Sequence, residues 1–170
     1  MARNVEVKAR IPSVEALLPR VAAFADGGPE RIAQDDTFFA CPNGRLKLRA
    51  FADGAGELIF YQRADGAGPK LSDYCIVAVP EPGPLRELLT LAYGQLGRVR
   101  KVRTLFLIGN TRVHLDRVEG LGEFLELDVV LEEGQTAEQG TAVATDLLDR
   151  LGIEPVQLIE GAYLDLLRGS

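Results

Sequence analysis

The chain has 170 residues, with 19 Lys+Arg against 25 Asp+Glu and a formal net charge of -6. That sum argues against a nucleic-acid partner, which needs a basic surface to neutralise phosphates. The length fits one domain at roughly 150 residues apiece, and no run approaches the roughly 18 uninterrupted apolar residues of a membrane span. The charge is nevertheless unevenly spread. Residues 1–40 carry five basic and six acidic side chains, residues 41–117 carry twelve and seven, and residues 118–170 carry two and twelve. The N-terminus has charge but no apolar segment of the secretory kind. Cys41 and Cys75, with a single His in the chain, cannot build a standard structural zinc site and read as small, buried, reduced thiols of a cytoplasmic protein.

In chain order, Asn4–Ile11 alternates polar and apolar as a half-buried strand does. Ser13 caps a helix through Leu17, Leu18, Val21 and Phe24, in which Pro19 predicts a kink or split. A loop at 26–29 precedes strand-like runs at 35–41, 44–51, 57–64 and 72–79, with Asn43-Gly44 as a tight hairpin signal. Pro82-Gly83-Pro84 opens a short helix. Strands at 98–109 and 111–118 meet at Gly109-Asn110, and a third runs over 123–131. Thr136 caps a helix closed by Gly152, and a last helix spans 156–167. About eight strands, mostly hairpin-connected, with helices at the ends and in one crossover, make an α+β protein dominated by an antiparallel sheet. No internal repeat or linker divides residues 1–170.

Alternation splits each strand into two faces. One face carries Asn4, Glu6, Lys8 and Arg10 on the first strand, Arg45, Lys47 and Arg49 on another, and Arg112, His114 and Asp116 on a third. Glu126 and Asp128 share a face with Phe124, Tyr61 lies with Arg63, and Lys101 lies with Arg103 opposite Arg98 and Arg100. Taken singly, each is the solvated outer face of an ordinary sheet. Taken together they are not. Like charges at i, i+2 and i+4 repel unless an anion sits among them, and acids and bases are sorted by strand. If helices cover the Leu/Val faces, the charged face lines a concavity. Arginines there match phosphate oxygens, and the carboxylates suit Mg²⁺ or Mn²⁺ bound beside substrate phosphates.

Asn4-x-Glu6-x-Lys8, RLKLR at 45–49, KVRT at 101–104, TRVHLDRVEGLGEFLELDV at 111–129 and GAYLDLL at 161–167 resemble, in order, the motifs of the CYTH superfamily, the triphosphate tunnel metalloenzymes. The similarity is greatest to its bacterial class IV adenylyl cyclase branch. The resemblance implies a closed eight-stranded antiparallel β-barrel, with charged side chains lining a tunnel and helices packed outside. It further implies that Lys8, Arg45, Lys47, Arg49, Arg63, Lys101, Arg103 and Arg112 hold a triphosphate. Glu6, Glu126 and Asp128 would hold the metal, with Asp116 close by, and Glu6, Lys8 and Glu126 would form the catalytic centre. Asn4 stands where the family motif has its first Glu, and an uncharged amide is a weaker metal ligand.

The resemblance implies a metal-dependent enzyme that takes ATP to cyclic AMP and pyrophosphate. The alternatives are a triphosphatase releasing phosphate from an inorganic or organic triphosphate, and a non-catalytic nucleotide or polyphosphate binder. The expected partner is a small triphosphate, with neither nucleic acid nor membrane. His114 reads as a strand His paired to a carboxylate, with phosphate contact or acid–base work as the sharper alternative. Tyr61 faces the tunnel or packs at its mouth. Gly120 and Gly122 read as turn residues, Asp146 and Asp149 as a solvated helix face, and the Leu-rich last helix as a cap on the barrel or a stripe for a homodimer.

Overall fold

A computed structural model describes residues 1–169. Eight strands, β1 (Ala2–Arg10), β2 (Gly27–Phe39), β3 (Arg45–Phe51), β4 (Gly56–Arg63), β5 (Lys70–Val79), β6 (Gln95–Ile108), β7 (Thr111–Val118) and β8 (Gly122–Val130), form a closed barrel in the order β1-β5-β4-β3-β2-β6-β7-β8. Every neighbouring pair is antiparallel. Closure gives every strand a partner on each side over at least part of its length. It also divides the alternating side chains into a set facing the lumen and a set facing outward.

The helices follow from what the outward set leaves apolar. Helix α1 (Val14–Phe24) and helix α3 (Ala137–Arg150) bring Val14, Leu17, Val21, Ala144, Leu147 and Leu148 onto Val5, Val7, Val113, Leu115, Leu125, Leu127 and Val129 of β1, β7 and β8. Gly140 lets α3 lie this close, because a Cβ there would meet Val5 Cγ2 at 2.8 Å and Leu131 Cδ2 at 2.6 Å. Helix α2 (Pro82–Tyr93) sets Leu89 on Phe39 and Leu48 of β2 and β3. Helix α4 (Tyr163–Gly169) closes one end of the barrel. There Tyr163 and Leu164 meet Phe38, Val99, Val118 and Phe124, which point inward from β2, β6, β7 and β8.

Five local expectations are revised. Cys75 is exposed and Cys41 half-buried, not buried as the sequence predicts, because both lie outside the helix-covered part of the barrel's core. Helix α1 runs unbroken through Pro19, which lies on its exposed side while Val14, Leu17 and Val21 are buried; packing of that apolar face outweighs one lost hydrogen bond. Strand β2 begins at Gly27 instead of 35, and its first half pairs with β6 alone. Residues 40–44 make a longer link than the two-residue turn that Asn43-Gly44 signals. The last helix begins at Tyr163, because Pro155–Gln157 forms a short 3-10 turn, Leu158 bridges to Ala9, and Gly161 takes a positive φ of 85°. The Gly109-Asn110 turn is as expected, with Ile108 paired to Thr111. Among the described residues no helix is long and apolar enough to cross a membrane.

Candidate active site

The barrel encloses a cavity of about 320 Å³ lined by Glu6, Lys8, Lys47, Arg49, Arg63, Lys101, Arg103, Arg112, Glu126 and Asp128, with His114 and Tyr61. Alternation and closure bring them together: each stands on the lumen parity of its strand. Arg98 and Arg100, on the opposite parity of β6, instead pair outside the barrel with Asp35 at 2.7 and 3.5 Å.

Two expected residues stand apart. Arg45 is held at the α4 end by Asp165, 2.8 Å away, and is not among the cavity-lining side chains. Asp116 is fully buried behind the lining. It accepts two hydrogen bonds from Arg103, each 2.8 Å, and one from the Tyr163 hydroxyl at 2.7 Å, so its oxygens orient Arg103 and anchor α4.

Around Asp36 the cations are in excess. Arg49 donates to both of its oxygens at 2.8 and 2.9 Å, Lys101 Nζ lies 3.0 Å away and Lys47 Nζ 3.6 Å. Burial would raise the Asp36 pKa, but Arg49, Lys101 and Lys47 together hold it well below the ordinary carboxylate range. The lysines bear the cost of crowding. Burial and then Arg49 push Lys47 down to about 7. Burial, with Arg49 and Arg103 working against Asp36, brings Lys101 to about 8. One carboxylate cannot satisfy three cations, so this group favours a further anion.

On the β7 and β8 wall the balance reverses. Glu126 lies 3.3 Å from Lys8, and burial is overcome by Lys8 and then Arg103, which hold its pKa well below the ordinary range. Asp128 is less favoured: burial, then the charges of Glu126 and Glu6, push it up to about 8, while its nearest cation, Arg112, is 4.0 Å away. His114 Nδ1 is 3.6 Å from both Glu126 and Asp128, too far for a hydrogen bond. Burial and Arg103 lower its pKa to about 4, which leaves the imidazole neutral at pH 7. Nδ1 of His114 and Oδ1 of Asp128 have no hydrogen-bond partner although both are buried.

One ligand atom each from His114, Glu126 and Asp128 lies within 4.8 Å of the others. Ligands at about 2.1 Å from a small divalent ion sit roughly 3 to 3.4 Å apart, so the two 3.6 Å separations from His114 need to close slightly, and the carboxylates must draw in within the 4.8 Å span of the set. Neutral imidazole, an ionised carboxylate and a carboxyl that repulsion keeps protonated form a donor set that fits a cation. Glu6, expected in the same set, is hydrogen-bonded to Arg63. Arg63 retains Nε and Nη2 as buried donors without partners, as does Arg112 at Nε. Orphaned donors of this kind are what phosphate oxygens satisfy.

Sequence reasoning missed Asp36, Gln34 and Tyr163. Asp36 and Gln34 carry a signal in hindsight, since they share the parity of Phe38 on a strand whose full length the turn residues at 26–29 concealed. Tyr163 lies in the family-like GAYLDLL segment, but alternation gives it no role: its ring lies 4.0 Å from Lys8 Nζ through a contact between residues distant in the chain.

A closed antiparallel barrel whose lumen sets a cation-rich cluster beside a candidate metal site defines a class of protein with a charged tunnel. The CYTH domain family matches residues 2–163, and the chain belongs to that family. It is 27% identical to the adenylate cyclase CyaB of Aeromonas hydrophila over 98% of this chain and 90% of that protein. The fold matches a protein of Pyrococcus horikoshii with a TM-score of 0.85 at 24% identity, over 96% of this chain and 98% of that one. It also matches a Hippeastrum protein described as showing a dominant triphosphatase activity, with a TM-score of 0.69 at 16% identity over 99% and 96% of the two chains.

Proposed function

We propose that this protein is a metal-dependent enzyme that converts ATP to cyclic AMP and pyrophosphate. The observation that carries the reading is the pairing, in one lumen, of an anion-seeking cluster around Asp36 with a cation-seeking cluster at His114, Glu126 and Asp128. The similarity to CyaB of Aeromonas hydrophila supports the choice of reaction. Lys47, Arg49 and Lys101 would take the outer phosphates, with Lys8 and Arg103 beside them and Arg63 and Arg112 donating through their free N–H groups. A divalent ion, Mg²⁺ or Mn²⁺, held by Glu126, Asp128 and His114 with Glu6 adjacent, would neutralise charge on the phosphate oxygens. In the substrate, the ribose 3′-hydroxyl passes its proton to water and its oxygen attacks the α-phosphorus in line, the bond to the bridging oxygen breaks, and pyrophosphate leaves with that oxygen. The chain contributes position and fixed charge, with no covalent intermediate.

A triphosphatase is the second reading, favoured by the activity described for the Hippeastrum protein. Phosphate ligands alone do not separate the two, because the same cradle orients water onto a terminal phosphorus. Incubation with Mg²⁺ or Mn²⁺ and either ATP or inorganic triphosphate decides. Cyclic AMP with stoichiometric pyrophosphate is the expected product. Orthophosphate from both substrates, without cyclic AMP, would overturn the cyclase reading.

A further inference from the structure

The two ends of the lumen differ in chemistry, and the strand directions locate them. Phe38, Val99, Val118 and Phe124 fill one end beneath α4. Leaving that end along β2, β3 and β6, the lumen positions pass through charged residues and arrive at Ile32, Phe51 and Leu105. The end that α4 does not occupy therefore has an apolar collar on one wall, β2, β3 and β6, while the other strands carry Asn4, Glu57 and Arg112 there. Bare phosphate has no use for such a wall, which would cost it solvation.

Two buried amides stand just inside this collar. Gln34, paired in register with Phe51 and Lys101, is 6% exposed, and its Oε1 has no hydrogen-bond partner. Asn4, 5% exposed, presents an equally unpartnered Oδ1. β1 and β2 lie four strands apart in the closed order of eight, so the two amides approach the lumen from opposite walls. An unpartnered acceptor has nothing to gain from the oxygens of an ionised triphosphate, which are only acceptors. It is satisfied by a donor or by a cation, and Gln34, paired in register with the cationic Lys101, is placed for the donor.

We infer that Gln34 is a specificity residue of the tunnel: it reads the amino group of an adenine-type base held against Phe51 and Ile32, while Asn4 accepts from the sugar. Resting on the proposed function, this assigns the substrate a nucleoside head and gives it a place in the lumen. The phosphates run inward to Lys47 and Lys101, the base rests at the apolar collar, and the amide of Gln34 offers an acceptor and a donor side by side to the edge of an aminopurine. Asn4 then has a role of its own at the position where the resemblance expects a metal-ligating Glu.

Equilibrium binding of ATP, inosine triphosphate and inorganic triphosphate in EDTA, to the intact protein and to Gln34→Leu, tests this. Inosine triphosphate carries an oxygen where ATP carries the amine. The wild type should bind ATP about 5- to 100-fold more tightly than inosine triphosphate. In Gln34→Leu the two affinities should agree within about 2-fold, and that for inorganic triphosphate should not change. Equal wild-type affinities for ATP and inosine triphosphate would overturn the inference and leave the tunnel reading standing. A Gln34→Leu variant that loses inorganic triphosphate as strongly as ATP would also overturn it, by placing Gln34 among the phosphate ligands. Binding of none of the three would sink both readings. Should the Leu variant misfold, Gln34→Met is the second apolar replacement, and an ATP preference that survives in it counts against Gln34.

Discussion

The Asp36 and Glu126–Asp128 clusters occupy the same lumen and are built from the same residue types, yet they fail in opposite directions. Around Asp36 three cations share one carboxylate, and the lysines lose affinity for their protons. Around Asp128 carboxylates crowd an imidazole, and one of them gains affinity for a proton. A protein selected for stability alone would pair these groups with each other. Holding them apart on different strands stores two complementary deficits, which one ligand made of anion and cation together can satisfy.

The largest expected effect breaks the second cluster. Glu126→Gln removes the carboxylate that is ionised without metal, and activity with Mg²⁺ or Mn²⁺ should fall roughly 10²- to 10³-fold with the fold intact by circular dichroism. Asp128→Asn sharpens the contrast. Its carboxyl, pushed up to about 8, is already protonated at pH 7, so activity should drop while the metal-free Tm at pH 7 stays within about 2 °C. A large fall in that Tm would show that Asp128 is ionised and paired in the free protein.

Breaking the first cluster should cost stability. Asp36→Asn leaves Arg49, Lys47 and Lys101 buried with no counter-charge, at about 3 to 5 kcal/mol by denaturant unfolding. Inorganic triphosphate should restore more stability to this variant than to the wild type, because it supplies the missing negative charge. An equal ligand-induced shift in both proteins would argue that the anion binds away from Asp36.

Protons separate the clusters by sign. In the free protein Lys47 titrates at about 7, so at pH 8 it is mostly neutral. Phosphate oxygens brought beside it raise its pKa, and the complex then holds more protons than the free protein. Triphosphate binding should take up protons above pH 7 and weaken as pH rises from there towards the ordinary lysine range. A metal must instead displace the proton of Asp128, so metal affinity should rise with pH up to about 8 and then level off. Calorimetry in buffers of different ionisation enthalpy reads both. Proton release on triphosphate binding would contradict the assignment of Lys47.

The lumen was legible in the sequence wherever alternation was clean. Asn4–Arg10, Arg45–Arg49 and Arg112–Asp116 give both their strands and their inward faces, because a period of two leaves no other assignment once the apolar face is buried. Closure came from the family resemblance and not from periodicity, since alternation is identical in a barrel and an open sheet. What stayed hidden depends on contacts distant in sequence. Asp116 and Arg112 share a parity, but only the approach of Arg103 and Tyr163 decides that Asp116 is used as an anchor. Arg45 likewise belongs to the motif that carries Lys47 and Arg49, yet Asp165 of α4 reaches it first.

That last case yields the smallest predicted effect and a sharp use for it. The Arg45–Asp165 pair has both hydrogen bonds, 3.2 and 2.8 Å, but its side chains are partly exposed, so breaking it should cost no more than about 1 kcal/mol. If Arg45 clamps α4, Arg45→Ala and Asp165→Ala should lose the same small stability, the double variant should lose little more, and affinity for inorganic triphosphate should hold in all three. If Arg45 instead belongs with Lys47 and Arg49, Arg45→Ala should weaken the anion severalfold, and Asp165→Ala, which frees the guanidinium, should strengthen it. Opposite signs in those two single variants would extend the anion-seeking cluster to the α4 end of the lumen; matched, anion-neutral losses would end it at Lys47.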